Sequence, residues 1–338
     1  MKLAEAGPAA AAASSSSPAA PVGGRGLLTR LVVDALKVLV TLGCLYLAVR
    51  NVDFSILWQR LARVNLGLFV VAVLLSVAQI AVVALRWRLI VGALEPAHSL
   101  TPRSALAITF SGQFVNQFLP FAAGDALRAV LVTRSAGASR RTAVTSVLID
   151  RAIGLLILFV IALPPLIIAG QGGGLSSLPR LLLVVILVAL GATALLLLAM
   201  PRIAAMMRAY PATRRVAAVA EDVSTLRNDP RAWVPVAALS VIVHAISVVM
   251  VWTLSYVVAA PASVLTLWML VPPMLLATML PFTVSGWGAR ETVVVAFLAQ
   301  AGIPHDAALL LSISFGAVLL VSALPGAVTW LQFMRRPA

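Results

Sequence analysis

Three pairs of oppositely charged residues interrupt apolar stretches of this 338-residue chain. In chain order the pairs are Asp125 and Arg128, Asp150 and Arg151, and Arg290 and Glu291. Ionisable groups inside a membrane are costly, so they are usually paired with one another and often mark a functional site. Because a guanidinium can donate two parallel hydrogen bonds to a phosphate, the arginines favour binding of an anionic headgroup. Ion pairs that only hold the structure together are the alternative interpretation.

The first and the last of these pairs follow the same short pattern. Leu-Pro-Phe stands at residues 119–121 and again at 280–282, and each time glycine and then arginine follow. Pro120 and Pro281 are expected to end a helix. The glycines expected to allow a tight return are Gly124, Gly286 and Gly288. Each return would place the partly positive N-terminus of a short helix beside an arginine, which favours phosphate binding.

The middle pair lies in the segment SVLIDRAIGLL, within a helix that is expected to begin near Thr142. Asp150 lies eight residues along that helix, which corresponds to about 12 Å at 1.5 Å per residue. Asp150 and Arg151 are therefore expected at the depth of the two breaks, beyond the headgroup layer. Together the three pairs contribute three negative and three positive charges.

The composition identifies the elements that must position these residues. Of all residues, 62% are hydrophobic and 11% are charged, and the mean hydropathy is +1.05, whereas a soluble domain has about 25% charged residues. Runs of about 20 apolar residues cross a bilayer, and such runs lie at 31–49, 66–85, 152–169, 181–200, 233–258 and 307–333. Shorter or proline-broken runs lie at 104–121, 262–282 and 292–301. The sequence predicts an all-α polytopic membrane protein with six full spans and two re-entrant helical hairpins.

The order of these segments repeats along the chain as two spans, a broken segment, a short helix and a third span. Because each half has three crossings, the second half must enter from the opposite side, which predicts an inverted-topology repeat. The predicted organisation is a disordered low-complexity tail at 1–26, a first membrane repeat at 27–170 and a second at 171–338. Chance recurrence of Leu-Pro-Phe is the alternative.

The formal net charge of +14 is explained by sidedness. Most basic residues flank one face if the N-terminus is cytoplasmic and the broken segments fold back, which is the positive-inside pattern. The sequence thus predicts a multi-pass protein of the cytoplasmic (inner) membrane, with both termini cytoplasmic, the Gly170–Ser177 loop outside and no nucleic-acid partner. The stretch RNVDFSILWQRLARVN departs from this pattern, because its three arginines would lie outside.

Three segments together resemble the lysylphosphatidylglycerol synthase transmembrane (flippase-like) family, namely LPFAAGDALRAVLVTR, SVLIDRAIGLL and LPFTVSGWGARETVVVAFLAQAGIPHDAALLLS. The family's Gly-Asp-x-x-Arg segment, hydrophobic-Asp-Arg motif and late Gly-x-Gly-x-x-Glu segment occur here in the same order, and the resemblance covers about residues 30–335. By position, it implies a substrate-binding set formed by Gly124, Asp125, Arg128, Asp150, Arg151, Gly286, Gly288, Arg290 and Glu291.

The resemblance implies binding and translocation of an anionic amphipathic lipid, such as an aminoacyl-phospholipid, a polyprenyl-phosphate-linked sugar or a hopanoid-type lipid. It also implies a lipid-synthesising enzyme as a candidate partner. The residues after the last predicted span run only from Arg335 to Ala338, so a soluble aminoacyl-transfer domain is not expected in this sequence.

Catalytic, cofactor and metal sites are not expected. His98, His244 and His305 are scattered, and no cluster of His, Cys and carboxylate residues has metal-ligand spacing. His244 is expected to be an ordinary interior histidine. We therefore expect a protein that is not an enzyme. The alternatives are an intramembrane enzyme that acts on a lipid phosphate near Glu291, and a small-solute transporter.

Overall fold

The computed structural model describes residues 39–50, 53–97, 100–119, 123–170, 177–208, 213–279, 283 and 286–335. Every regular element within these residues is a helix, which confirms the all-α class for this part of the chain. In chain order the helices are α1 (Leu39–Val49), α2 (Phe54–Ala62), α3 (Leu66–Leu94), α4 (Pro102–Phe118), α5 (Ala123–Ala136), α6 (Arg140–Gly170), α7 (Ser177–Arg208), α8 (Arg214–Asn228), α9 (Pro230–Val257), α10 (Val264–Thr278), α11 (Ala289–Gln300), α12 (His305–Ala323) and α13 (Pro325–Arg335). The predicted tail at 1–26 lies outside the described residues.

Within the described residues, five stretches of helix are long and apolar enough to cross a membrane. They are α3, α6, α9, most of α7, and α12 together with α13. The outer surface is apolar as well: Leu187, Leu195 and Leu198 on α7 are all at least half exposed, as expected for a surface that contacts lipid. The first predicted run, 31–49, is described only from Leu39, so the number of full spans stays a prediction.

Two pairs of short helices stand where the sequence predicts hairpins. The helices α4 and α5 have 17 and 14 residues, and α10 and α11 have 15 and 12. The first helix of each pair begins at a side-chain cap: Thr101 Oγ1 accepts from Ser104 N at 3.2 Å, and Ser263 Oγ accepts from Thr266 N at 3.0 Å. Within the described residues, α3 to α6 and α9 to α12 therefore share the order of a long helix, two short helices and a further membrane-crossing helix. Pro120, Pro281 and residues 171–176 of the predicted outside loop lie outside the described residues.

The long helices α3 and α9 pack antiparallel. At one end the Asn65 amide donates to the Val257 carbonyl at 3.4 Å, and at the other end Ile90 packs with the first turns of α9. The helix α12 joins this pair through a hydrogen bond of 2.8 Å between the hydroxyls of Ser76 and Ser322. Residues from all three helices contribute to one large apolar core.

Two ion pairs join residues that are distant in the sequence at the two ends of the bundle. At one end of the bundle Arg60 forms an ion pair with Asp306. At the other end Arg141 Nη2 lies 2.6 Å from Asp222 Oδ1. The first contact gives a countercharge to one of the arginines that depart from the positive-inside pattern. These contacts support the predicted grouping of loops, whereas which end is cytoplasmic stays a prediction.

Cysteine labelling on a Cys44→Ala background tests the orientation, since Cys44 is the one cysteine of the chain. Gln59→Cys on α2 is expected to react with a membrane-impermeant thiol reagent added outside, and Thr225→Cys on α8 is not, because basic loops cluster at the α8 end. Both positions are exposed, so sidedness and not burial decides the result. Labelling of Thr225→Cys alone would reverse the orientation.

Candidate functional site

One buried carboxylate connects helices α3, α5 and α6. Asp150, on α6, accepts a hydrogen bond from Arg86 Nε on α3 at 2.8 Å and another from Arg128 Nη1 on α5 at 3.1 Å. Arg86 Nη1 also donates to Ser240 Oγ on α9 at 3.0 Å. The side chains of Asp150, Arg86 and Arg128 are almost fully buried. Both oxygens of this carboxylate are therefore engaged by guanidinium groups.

A second ion pair joins the start of α5 to α6. Arg151 donates to both oxygens of Asp125, from Nε to Oδ2 and from Nη2 to Oδ1, each at 2.8 Å. Arg128 Nη1 lies 3.6 Å from Asp125 Oδ1. Asp125 is buried, whereas 45% of the Arg151 side chain is exposed. The structure thus brings four of the predicted site residues, Asp125, Arg128, Asp150 and Arg151, into one network.

Arg128 has an incomplete set of partners in this network. Its guanidinium carbon lies 4.4 Å from the centroid of the Trp87 ring. The indole N–H of Trp87 donates a hydrogen bond of 3.2 Å to Ser146 Oγ, which fixes the ring. The Nε and Nη2 atoms of Arg128 are buried and have no hydrogen-bond partner among the described residues. Because an unpaired buried donor costs about 1–3 kcal/mol, Arg128 is suited to bind an additional acceptor.

A cavity of about 220 Å³ borders this network. Its walls come from α3, α4, α5, α6, α9, α10 and α12, and its apolar wall includes Leu155, Leu275 and Phe315. The polar residues that line it are Ser76, Gln79, Arg86, Thr109, Gln113, Asn116, Asp125, Arg128, Asp150, Arg151, His244, Ser247 and Thr278. With neutral histidine, the charged residues in this lining carry one net positive charge.

His244 lines this cavity, and one of its two ring nitrogens has a hydrogen-bond partner among the described residues. Its Nε2 atom lies 2.9 Å from the Gly154 carbonyl oxygen, whereas Nδ1 is buried without a partner among the described residues. The hydroxyl of Thr109, on α4, also lines the cavity and is unpaired as well among those residues. The sequence predicted an ordinary interior histidine, because periodicity does not reveal that α4 and α6 leave a polar cavity beside α9.

Two glycines allow α4 and α5 to cross in backbone contact. A Cβ atom on Gly124 would overlap the carbonyl oxygen of Gly112, and one on Gly112 would lie 2.7 Å from Arg128 Cγ. The Gly124 amide donates to Asn116 Oδ1 at 2.8 Å, which ties the start of α5 to α4. The predicted site residue Gly124 therefore acts through packing, and it brings Asp125 and Arg128 to the cavity wall.

Gly124→Ala is expected to lower the free energy of unfolding by about 1–3 kcal/mol, because overpacking at a close contact forces the backbone apart. Gly191→Ala is the matched control, since an added Cβ at this α7 position meets nothing within 4 Å. The control is expected to be neutral or to stabilise the helix by about 0.5–1 kcal/mol. Thermal unfolding of the purified variants measures the difference, and equal midpoints would contradict the close crossing.

The predicted residues beside α11 form a separate network. Glu291 Oε1 accepts from Arg290 Nη2 at 2.5 Å and from Ser312 Oγ on α12 at 3.1 Å. Glu291 Oε2 accepts from the Gly288 amide at 2.7 Å, so the same carboxylate caps α11. Arg290 and Glu291 are each 1% exposed. This network fixes the start of α11 against α12.

Arg290 is enclosed and does not line the cavity beside Arg128. Its guanidinium carbon lies 4.7 Å from the Trp287 ring centroid and 5.7 Å from that of Phe315. Phe315 itself borders the cavity. Aromatic rings, Glu291 and Ser312 occupy the surroundings of Arg290, so it is not among the described residues that line the cavity beside Arg128. Direct contact between Arg290 and a substrate stays a prediction.

The two glycines before α11 adopt the backbone that a tight return requires. Gly286 has φ of +77° and Gly288 has φ of +83°, in the left-handed region that favours glycine. A Cβ on Gly286 would lie 2.5 Å from the Cα of Thr278, and one on Gly288 would lie 2.6 Å from the Thr41 carbonyl oxygen. Both predicted residues therefore serve packing against α10 and α1.

Arg86 is the network residue that sequence reasoning missed. It directly follows the predicted apolar run at 66–85, so the sequence predicts it outside that span. The helix continues to Leu94, so Arg86 lies eight residues, or about 12 Å, inside its end. The apolar residues 89–94 that follow the Arg-Trp-Arg segment are the signal that could have identified this position.

A family model described as the lysylphosphatidylglycerol synthase TM region matches residues 35–326 of this chain. The matched range spans α1 to α12 and contains the network around Asp150 and the network around Glu291. No match was found among curated proteins.

Proposed function

Because the chain belongs to the lysylphosphatidylglycerol synthase transmembrane family, we propose that it is a flippase-like protein of the cytoplasmic membrane. It binds the headgroup of an anionic amphipathic lipid in the cavity beside Arg128 and moves the lipid across the bilayer. The five long apolar helices support a multi-pass membrane protein, and the family supports a lipid-related role.

One observation supports this function best. Arg128 lines a cavity whose charged wall carries one net positive charge, and two of the buried nitrogen atoms of Arg128 have no partner among the described residues. Buried polar groups are nearly always hydrogen-bonded, so a ligand with anionic oxygen atoms would complete the set. Phosphate oxygens suit a guanidinium, because its donors form a planar fork.

In this proposal the pairs α4–α5 and α10–α11 are re-entrant hairpins that enter from opposite faces. The matching order of helix lengths and the matching Thr101 and Ser263 caps support the inverted repeat. The first hairpin presents Asp125 and Arg128 to the headgroup. The second acts by fixing its turn, and we assign Gly286, Gly288, Arg290 and Glu291 to that positioning role in place of the substrate contact that the resemblance implies.

Native mass spectrometry of the protein purified in mild detergent tests the proposal. We expect an anionic lipid to co-purify and to survive mild activation, because its headgroup is held by buried arginine. A trapped small polar solute without lipid would contradict the proposal and favour a small-solute transporter. Release of inorganic phosphate from an added lipid phosphate, lost in Glu291→Gln, would favour the enzyme alternative.

A further inference from the structure

We infer that the headgroup is a singly charged phosphate diester with at least one hydroxyl group, and that it has no free ammonium group. This inference rests on the proposed function and narrows its substrate class. It excludes aminoacylated phospholipids and pyrophosphate-linked lipids as the preferred ligand of the cavity. Three properties of the described lining support it: its net charge, its occupied carboxylates and its unpaired polar atoms.

The net charge selects a monoanion. Arg86, Arg128 and Arg151 contribute three positive charges to the lining, and Asp125 and Asp150 contribute two negative charges. The half-exposed Arg151 is paired with Asp125, so the excess charge lies on Arg86 and Arg128, which are both buried and share the one carboxylate of Asp150. Because an uncompensated buried charge is very costly, a ligand with one negative charge completes the balance. A phosphate diester carries one such charge, whereas a pyrophosphate diester carries two and would leave an excess.

The carboxylates of the lining are not available to an ammonium group. Asp150 accepts from Arg86 on Oδ1 and from Arg128 on Oδ2, and Arg151 occupies both oxygens of Asp125. The lining residues that the structure describes include no other acid. A lysyl ammonium in this cavity would therefore face guanidinium groups without a countercharge, so an aminoacylated headgroup is disfavoured.

His244 requires a donor from the ligand. The Gly154 carbonyl can only accept, so His244 Nε2 carries the proton of the neutral ring and Nδ1 is an acceptor. Because Nδ1 is buried and unpaired among the described residues, it is satisfied by a hydroxyl but not by the oxygen of a phosphate diester. Thr109 Oγ1, which also lines the cavity and is unpaired among those residues, can bond to a hydroxyl in either direction.

The size of the cavity limits what enters it. Its volume of about 220 Å³ is below the range of about 300–1,000 Å³ typical of pockets that enclose a drug-sized ligand. The cavity therefore accommodates a headgroup, and the hydrocarbon chains stay outside it. The half-exposed side chain of Arg151 lies on this wall and marks a place where the headgroup reaches the surface.

Competition between three lipids with identical acyl chains, measured by native mass spectrometry, tests this inference. The probes are phosphatidylglycerol, a monoanion with hydroxyls; phosphatidylmethanol, a monoanion without hydroxyls; and lysylphosphatidylglycerol, which carries ammonium groups. We expect phosphatidylglycerol to bind about threefold to tenfold more tightly than phosphatidylmethanol, the effect of one net hydrogen bond. It should bind at least about tenfold more tightly than the lysyl lipid, because like charges meet in a poorly solvated site.

His244→Phe is expected to reduce the preference for phosphatidylglycerol over phosphatidylmethanol to about one, with the preference over the lysyl lipid unchanged. His244→Gln, which retains an acceptor, should restore part of the first preference. Equal binding of the two monoanions by the unaltered protein, or preferred binding of the lysyl lipid, would overturn the inference while leaving the proposed function standing. If Arg128→Ala alters the binding of none of the three, the proposed function itself is wrong.

Discussion

Replacing Arg128 by alanine is expected to weaken binding of phosphatidylglycerol by about tenfold to a hundredfold. The change removes the Nε and Nη2 atoms, which have no partner among the described residues, and a hydrogen bond to a charged group contributes about 1.5–3 kcal/mol. Since each 1.4 kcal/mol is a factor of ten in affinity, the expected loss of affinity is at most about a hundredfold. Native mass spectrometry with titrated lipid measures the apparent dissociation constant.

Two further variants make this result specific. Arg128→Lys is expected to recover only part of the affinity, because an ammonium group lacks the planar fork of donors. Arg208→Ala, which removes a largely exposed arginine paired with Glu221, should leave the affinity within about twofold, since exposed pairs contribute little. Equal losses in Arg128→Ala and Arg208→Ala would show that the lipid binds by general surface charge and would contradict the cavity site.

Asp150→Ala is expected to produce the largest loss of stability, about 3–5 kcal/mol in the free energy of unfolding. The reason is that truncating one partner of a buried ion pair leaves uncompensated charge, and here Arg86 and Arg128 both lose their shared acceptor. Asp150→Asn should lie between Asp150→Ala and the unaltered protein, because the amide oxygen still accepts a hydrogen bond while the charge is lost. Thermal or denaturant unfolding in detergent measures these differences.

The matched control for Asp150→Ala is Asp222→Ala. Asp222 also binds an arginine, but the Arg141 side chain is 48% exposed, and an exposed ion pair contributes about 0–1 kcal/mol. Comparable destabilisation by the two substitutions would mean that burial does not amplify the effect of Asp150. The carboxylate would then not be the structural centre of the network.

The sequence identified most residues of the network around Asp150, but it did not predict which of them contact one another. Apolar runs around Asp125 and Asp150 placed both in the membrane, and helix geometry gave their similar depth. The actual partners lie on other helices: Asp150 binds Arg86 and Arg128, and Arg151 binds Asp125. Neighbours in a helix point in different directions, so adjacent Asp150 and Arg151 could not reveal which third residue each would meet.

The second network illustrates a different limit. Of the three predicted turn glycines, Gly286 and Gly288 have positive φ, whereas Gly124 lies within the first turn of α5 and does not. The sequence did not predict that Arg290 would donate its hydrogen bonds to Glu291 and Ser312. Ser312 is on α12, and its position beside Arg290 depends on how α11 and α12 pack. Charge and spacing identify a buried arginine, whereas only tertiary packing decides whether its donors remain free for a ligand.

The contacts that close the bundle also set an order for its assembly during synthesis. Arg60 and Ser76 find their partners in Asp306 and Ser322, each 246 positions later in the chain. At about 5–20 residues per second, a ribosome needs roughly 12–50 s to make the intervening segment. The first helices must therefore stay in the membrane for that time without these partners, and insertion of α12 is the event that supplies them.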